Sequence, residues 1–118
     1  MTRAPAQRQA RARRRAGDIA ALRAACARAV RDPTRIEAVV LFGSLARGNF
    51  DGFSDADIAV IGDRAAFDTA VFSGLERSVD VVAIDPARWH ATIASTDALS
   101  SSDTMMAAIR AEGLPLWP

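Results

Sequence analysis

The chain has 118 residues, half of them apolar, and a formal net charge of +1. That length fits one domain with one core and leaves no room for a second, substrate-binding domain. No apolar run approaches the ~18 residues a membrane span needs, and the start lacks the apolar stretch of a secretory signal. A lone cysteine, Cys26, excludes an internal disulfide and a cysteine-based zinc site, so a cytoplasmic protein is expected.

The small net charge conceals a split. Residues 1–35 carry ten arginines against two acids, and residues 36–118 carry five arginines against twelve acids. Every cation is Arg and none is Lys, which with the abundance of Ala fits a GC-rich coding bias. Residues 1–16 are Arg, Ala and Gln with almost no large apolar side chain, so they read as a basic extension. It is either a frayed tail or the solvated start of a helix. From Asp18, a candidate cap, Ile19, Leu22, Cys26 and Val30 recur at helical spacing. Asp32-Pro33 ends that helix.

Residues 36–42 form a short β-branched apolar run that predicts a buried strand, broken by Gly43-Ser44. Residues 45–54 read mostly as loop. A second strand is predicted over 57–61. Phe67, Val71 and Leu75 at spacing four predict a helix over 64–77, and residues 79–84 a third strand. Helices follow at about 86–95 and 101–112, the latter ended by Gly113, before a short extended tail at 114–117. The order indicates an α/β or α+β fold, a short mixed β-sheet with helices packed on it.

Three acids stand where acids are costly. Asp55 and Asp57 flank Ala56 at the start of an apolar strand, and alternate strand residues share a face, so both carboxylates point one way, with Cα atoms roughly 6.5–7 Å apart. Asp80 interrupts the run 79–84. If its strand neighbours that of Asp57, the three form a carboxylate cup suited to Mg²⁺ or Mn²⁺, with two ions serving phosphoryl or nucleotidyl transfer. The strand-ending Gly43-Ser44 offers backbone N–H groups and a hydroxyl to a polyphosphate. Taken singly, a Gly-Ser turn, an Asp-x-Asp strand cap or an edge-strand Asp80 has an ordinary structural explanation; their joint spacing is far more specific.

Gly43-Ser44-Leu45-Ala46-Arg47-Gly48 … Ser54-Asp55-Ala56-Asp57-Ile58-Ala59-Val60 resembles the G-S-x10-D-x-D signature of the polymerase-β-like nucleotidyltransferase superfamily. More narrowly it is similar to the minimal nucleotidyltransferases, antitoxins of MNT–HEPN toxin–antitoxin pairs. The likeness extends from about residue 17 to the end, including Val79-Asp80-Val81-Val82 and the closing Ile109–Leu116, which makes 17–118 the minimal nucleotidyltransferase domain. The resemblance implies a mixed sheet with helices on one side, with Gly43, Ser44 and Ser54 on the nucleotide. It places Asp55 and Asp57 on two Mg²⁺ ions and Asp80 as third carboxylate, and the residues themselves make Asp80 the best-placed carboxylate to ligate one metal and accept the acceptor's proton. It implies AMP transfer from ATP to a hydroxyl, a tyrosine of a partner HEPN ribonuclease toxin. Ala56 and Ala59 are smaller than that pattern expects.

Arg47 either neutralises a phosphate or merely positions the turn. His90 reads as a surface residue, Cys26 as core, and Met105 and Met106 as packing or a partner-facing surface. The cluster Arg11, Arg13, Arg14, Arg15 is a solvated helix start, a dock for an acidic partner, or a salt-sensitive contact to nucleic acid without base stacking. It stands outside the recognised core, so its removal is expected to spare transfer. Two alternatives to catalysis on a toxin remain: neutralisation by binding and occlusion, and transfer to a small-molecule hydroxyl.

Overall fold

The computed structural model describes residues 5–48, 55–94 and 101–118. Helix α1 spans Pro5–Ala29 without interruption. It buries Ile19, Leu22, Ala25, Cys26 and Ala29 on one face, the spacing of a single helical stripe. The Arg-rich start is therefore helix, and Asp18 is not its cap. Asp18 lies mid-helix and accepts from Arg77 at 3.0 Å. Cys26 is fully buried, which pushes its thiol pKa up to about 12.

Strand β1 (Ile36–Phe42) follows, then one helical turn, α2 (Ser44–Arg47), where the sequence reads as loop. Strands β2 (Ala56–Gly62) and β3 (Val79–Ile84) come next, then helices α3 (Pro86–Ala94) and α4 (Ser101–Glu112). The tail forms a true strand, β4 (Leu114–Trp117). The four strands make one mixed sheet in the order β3-β2-β1-β4. β1 runs antiparallel to both β2 and β4, and β2 runs parallel to β3.

The sequence predicts a helix over 64–77; the chain forms two 3-10 segments instead, Arg64–Ala66 and Thr69–Gly74. Asp63 and Asp68 cause this. Each accepts from the amide two residues on, Ala65 and Ala70, which starts a new turn and outcompetes a continuous helix. Between them Phe67 is extended, bridges Val30 and packs its ring on Phe72, with centroids 5.8 Å apart.

Helices cover both faces of the sheet, not one. Val39, Leu41, Ile58 and Val60 share a core with α1 and Phe72. The alternate residues Ala38, Val40, Ala59 and Ile61 join Met106, Ile109, Trp89 and Met105 of α3 and α4. Arg110 stacks on Trp89 at 4.1 Å and ties α4 to α3. β2, central and covered on both faces, reads in sequence as an unbroken apolar run apart from its first acid, Asp57.

Candidate active site

The acidic end of β2 meets the end of β1. Phe42, the last residue of β1, is the Cα partner of Asp57. The chain then turns at Gly43, whose φ of 80° and ψ of −160° are open to glycine almost alone. A Cβ at Gly43 would stand 2.4 Å from Asp57 Oδ2, so the carboxylate lies directly against the glycine backbone. Only glycine satisfies both conditions.

α2 continues from that turn. Arg47 N–H donates to Gly43 O and Gly48 N–H to Ser44 O, both at 3.0 Å. Leu45 and Ala46 are buried and root the turn in the α1 side of the core. Ser44 stays half-buried at the surface and Arg47 is exposed. Arg15 of α1 clamps the far end of the turn: its Nε donates to Leu45 O at 2.9 Å and its Nη2 to Ala46 O at 2.6 Å. These are two of the carbonyls a short helix leaves without partners.

Across the sheet, Asp57 is also the Cα partner of Asp80 in the parallel ladder, which Ala56 N–H opens by donating to Ser78 O at 2.8 Å. Register partners on neighbouring strands share a face about 4.8 Å apart. Asp55 stands two residues upstream, just before β2 begins, and its charge acts on Asp57. Asp55 and Asp80 are exposed and Asp57 is half-buried. The Asp57 pKa is raised, first by burial, then by the charges of Asp80 and Asp55, with Arg47 opposing. A half-buried carboxylate whose proton affinity is raised by two neighbouring acids belongs to a donor set a divalent cation would relieve, and oxygen-only ligation matches Mg²⁺ or Mn²⁺ chemistry. The residues fit such an ion in type and register. With their side chains as placed they do not form the ready cup that sequence suggests: among the described residues no three acid, His or Cys side chains converge on one point. Uncompensated like charges repel, and Asp55 and Asp80 are both exposed to water.

One residue at this site escapes sequence reasoning. Glu112, the last residue of α4, accepts from Gly43 N–H at 3.2 Å and from Arg47 Nη1 at 3.0 and 3.3 Å. Its only sequence signal is its place in the closing segment Ile109–Leu116. Arg15 likewise carries no signal beyond its place in an Arg cluster. Ser54 lies outside the described residues. His90 is exposed and pairs with Glu37 at 2.8 Å, remote in register from the acids. Met106 is buried core and Met105 half-buried beside it. Among the described residues, no helix is long and apolar enough to cross a membrane.

A four-stranded mixed sheet with a strand–Gly-Ser turn set against its acidic strand ends is a nucleotidyltransferase fold of the polymerase-β type. The sequence model of the family Polymerase beta, Nucleotidyltransferase matches residues 25–90, and the chain belongs to that family. The match contains Gly43, Ser44, Arg47, Asp55, Asp57 and Asp80, and leaves out Arg15 and Glu112. No curated protein matches the chain significantly. Among solved structures, a toxin-antitoxin with AMP-PNP is similar at a TM-score of 0.48 and 24% identity, covering 74% of this chain. The chain spans 64% of the length of that protein.

Proposed function

We propose that the chain is a cytoplasmic antitoxin that transfers AMP from ATP to a hydroxyl of a HEPN ribonuclease toxin, a tyrosine side chain, and so silences it. The observation that carries the transfer chemistry is the alignment of Asp57 with Asp80 on one side and Gly43 on the other. The choice of a toxin as acceptor rests on the resemblance of 43–60, 79–82 and 109–116 to minimal nucleotidyltransferase antitoxins.

Each residue then has a task. Gly43 N–H, Ser44 and Arg47 bind and orient the triphosphate, and the family resemblance adds Ser54 to the nucleotide contacts. Asp55, Asp57 and Asp80 would hold Mg²⁺, which when bound would lower the acceptor hydroxyl's pKa and neutralise the leaving pyrophosphate. The acceptor oxygen bonds to the α-phosphorus, the bond to the bridging oxygen breaks, and pyrophosphate departs. Asp80, exposed at the open edge of the sheet, takes the hydroxyl proton. The chain has no tyrosine, so its own side chains offer no such acceptor.

The test is incubation with α-labelled ATP, Mg²⁺ and the protein encoded next to this one. Label is expected on the partner, and Asp55→Asn should abolish both labelling and neutralisation. Absence of label, with Asp55→Asn/Asp57→Asn still protecting cells in a stable complex, would replace this reading by occlusion. Activity on an aminoglycoside without a partner would point to a small-molecule acceptor.

A further inference from the structure

Glu112 occupies the spot where an anion is best held at this turn. Its carboxylate takes the Gly43 N–H and the Arg47 guanidinium together. Those two donors come from opposite ends of the α2 turn and converge on one acidic group. The pair is not a loose surface contact: the Glu112 side chain is only 22% exposed, against 46% for Arg47.

Resting on the nucleotide-site reading above, we propose that Glu112 is a built-in counter-anion of the Gly-Ser turn, displaced by a phosphate group when a nucleoside triphosphate binds. Arg presents the same fork to carboxylate and phosphate, so one anion can substitute for the other. Two anions sharing one N–H and one guanidinium repel each other. A triphosphate, with more charge and more acceptor oxygens, wins the donors at sufficient concentration.

The exchange is a side-chain swing, because the backbone at this joint is fixed. Gly113 N–H donates to Ile109 O at 2.8 Å. A Cβ at Gly113 would meet Ile109 O at 2.2 Å and Val40 Cγ1 at 2.5 Å, so the joint is packed tight against β1. β4 leaves it paired to β1 through Leu114↔Leu41 and Pro115↔Val40. The Glu112 side chain has three rotatable bonds and needs no backbone movement to leave the turn. Before nucleotide arrives, the carboxylate keeps Arg47 aimed and the Gly43 amide satisfied. The consequence is a weaker affinity than the bare donors would give.

The experiment measures binding of two probes to the full chain by calorimetry: a non-hydrolysable ATP analogue with Mg²⁺, and inorganic tripolyphosphate alone. Wild type is compared with Glu112→Gln, which keeps the shape and one acceptor but not the charge, and with Glu112→Ala. Both variants are expected to bind both probes about tenfold more tightly, ~1.4 kcal/mol, while the Tm without ligand drops. A residue that merely supports the fold would not tighten binding when removed. In wild type, tripolyphosphate should shift the Gly43 amide resonance and leave those of Leu114 and Leu116 in place, a readout that needs no variant. Unchanged or weaker binding by the variants, with wild type binding normally, overturns the exchange and leaves the nucleotide-site reading intact. Failure of wild type and variants to bind either probe overturns both.

Discussion

Asp57 and Asp80 are Cα partners in the parallel β2–β3 ladder, so two carboxylates stand side by side on one sheet face with no basic residue between them in register. Such a pair weakens the fold, and on the proposed function it is retained to serve a ligand. It is a local cost of the kind enzymes carry at their sites.

The first prediction takes its sign from Asp57. Its pKa is raised by burial, then by Asp80 and Asp55. An acid with a higher pKa folded than unfolded binds its proton more readily in the native state. Native stability therefore falls as pH rises from the unfolded value of about 3.9 through the folded pKa, and the deficit persists above it. Asn at this position never bears the charge. Asp57→Asn should melt higher than wild type at pH 7, by a margin that shrinks toward pH 4 and vanishes below it. Mg²⁺ should raise the wild-type Tm and leave that of the variant unmoved. Calorimetry across pH with and without Mg²⁺ checks both, and equal melting of the two proteins at pH 7 would refute the repulsion.

The opposite sign holds at Asp68. Arg31, at 2.9 Å, and the Ala70 amide hold its carboxyl below the usual range. Its contribution is present above about pH 3.9 and is lost as pH falls through the folded pKa. Asp68→Asn should melt lower than wild type at pH 7 and equal it in strong acid. A melting series over that range decides the matter.

These aspartates also mark where sequence stops being informative. β1 and β3 are legible because β-branched apolar runs bounded by Gly, Asp or Pro have few other uses. The acids of the site are legible because a charge inside such a run needs a reason. The stretch 64–77 is misread because Phe67, Val71 and Leu75 have helical spacing, while Asp63 and Asp68 each nucleate a separate turn. α1 runs past Asp18 because partners distant in sequence hold it there, Arg77 on Asp18 itself and the α2 carbonyls on Arg15. Glu112 reaches 69 residues back to Gly43, and Arg15 reaches 30 residues forward to Leu45. No local pattern encodes contacts of that span, and both residues lie outside the stretch the family model matches.

A substitution at Gly43 tests the close approach on which the site depends. Gly43→Ala places a Cβ 2.4 Å from Asp57 Oδ2, at a φ of 80° that suits no other residue. The backbone term alone costs about 1–3 kcal/mol. The carboxylate must also shift, which removes it from the face it shares with Asp80. The variant should lose several degrees of Tm and all measurable nucleotide binding. Gly17→Ala is the control, since a Cβ there meets nothing within 4 Å. Wild-type nucleotide affinity in Gly43→Ala would show that the Asp57–Gly43 contact is incidental.

The basic head yields the last prediction, and it reverses what sequence suggests. As a solvated extension, residues 1–15 should be dispensable. In the fold, Arg15 donates twice to the turn that carries Ser44 and Arg47. Hydrogen bonds from a charged donor contribute about 1.5–3 kcal/mol when shielded, and less where water competes, as at this half-buried residue. Arg15→Ala should therefore lower the Tm by a few degrees and weaken ATP binding several-fold, because α2 loses its clamp. Arg15→Lys should restore little, since a single ammonium does not reproduce the two-point fork on adjacent carbonyls. Arg13→Ala and Arg14→Ala, at exposed positions on the same helix, should match wild type in both measurements. If Arg15→Ala binds ATP as wild type does while truncation of residues 1–15 abolishes binding, another part of the head supports the site and the clamp at Leu45 and Ala46 is not its basis.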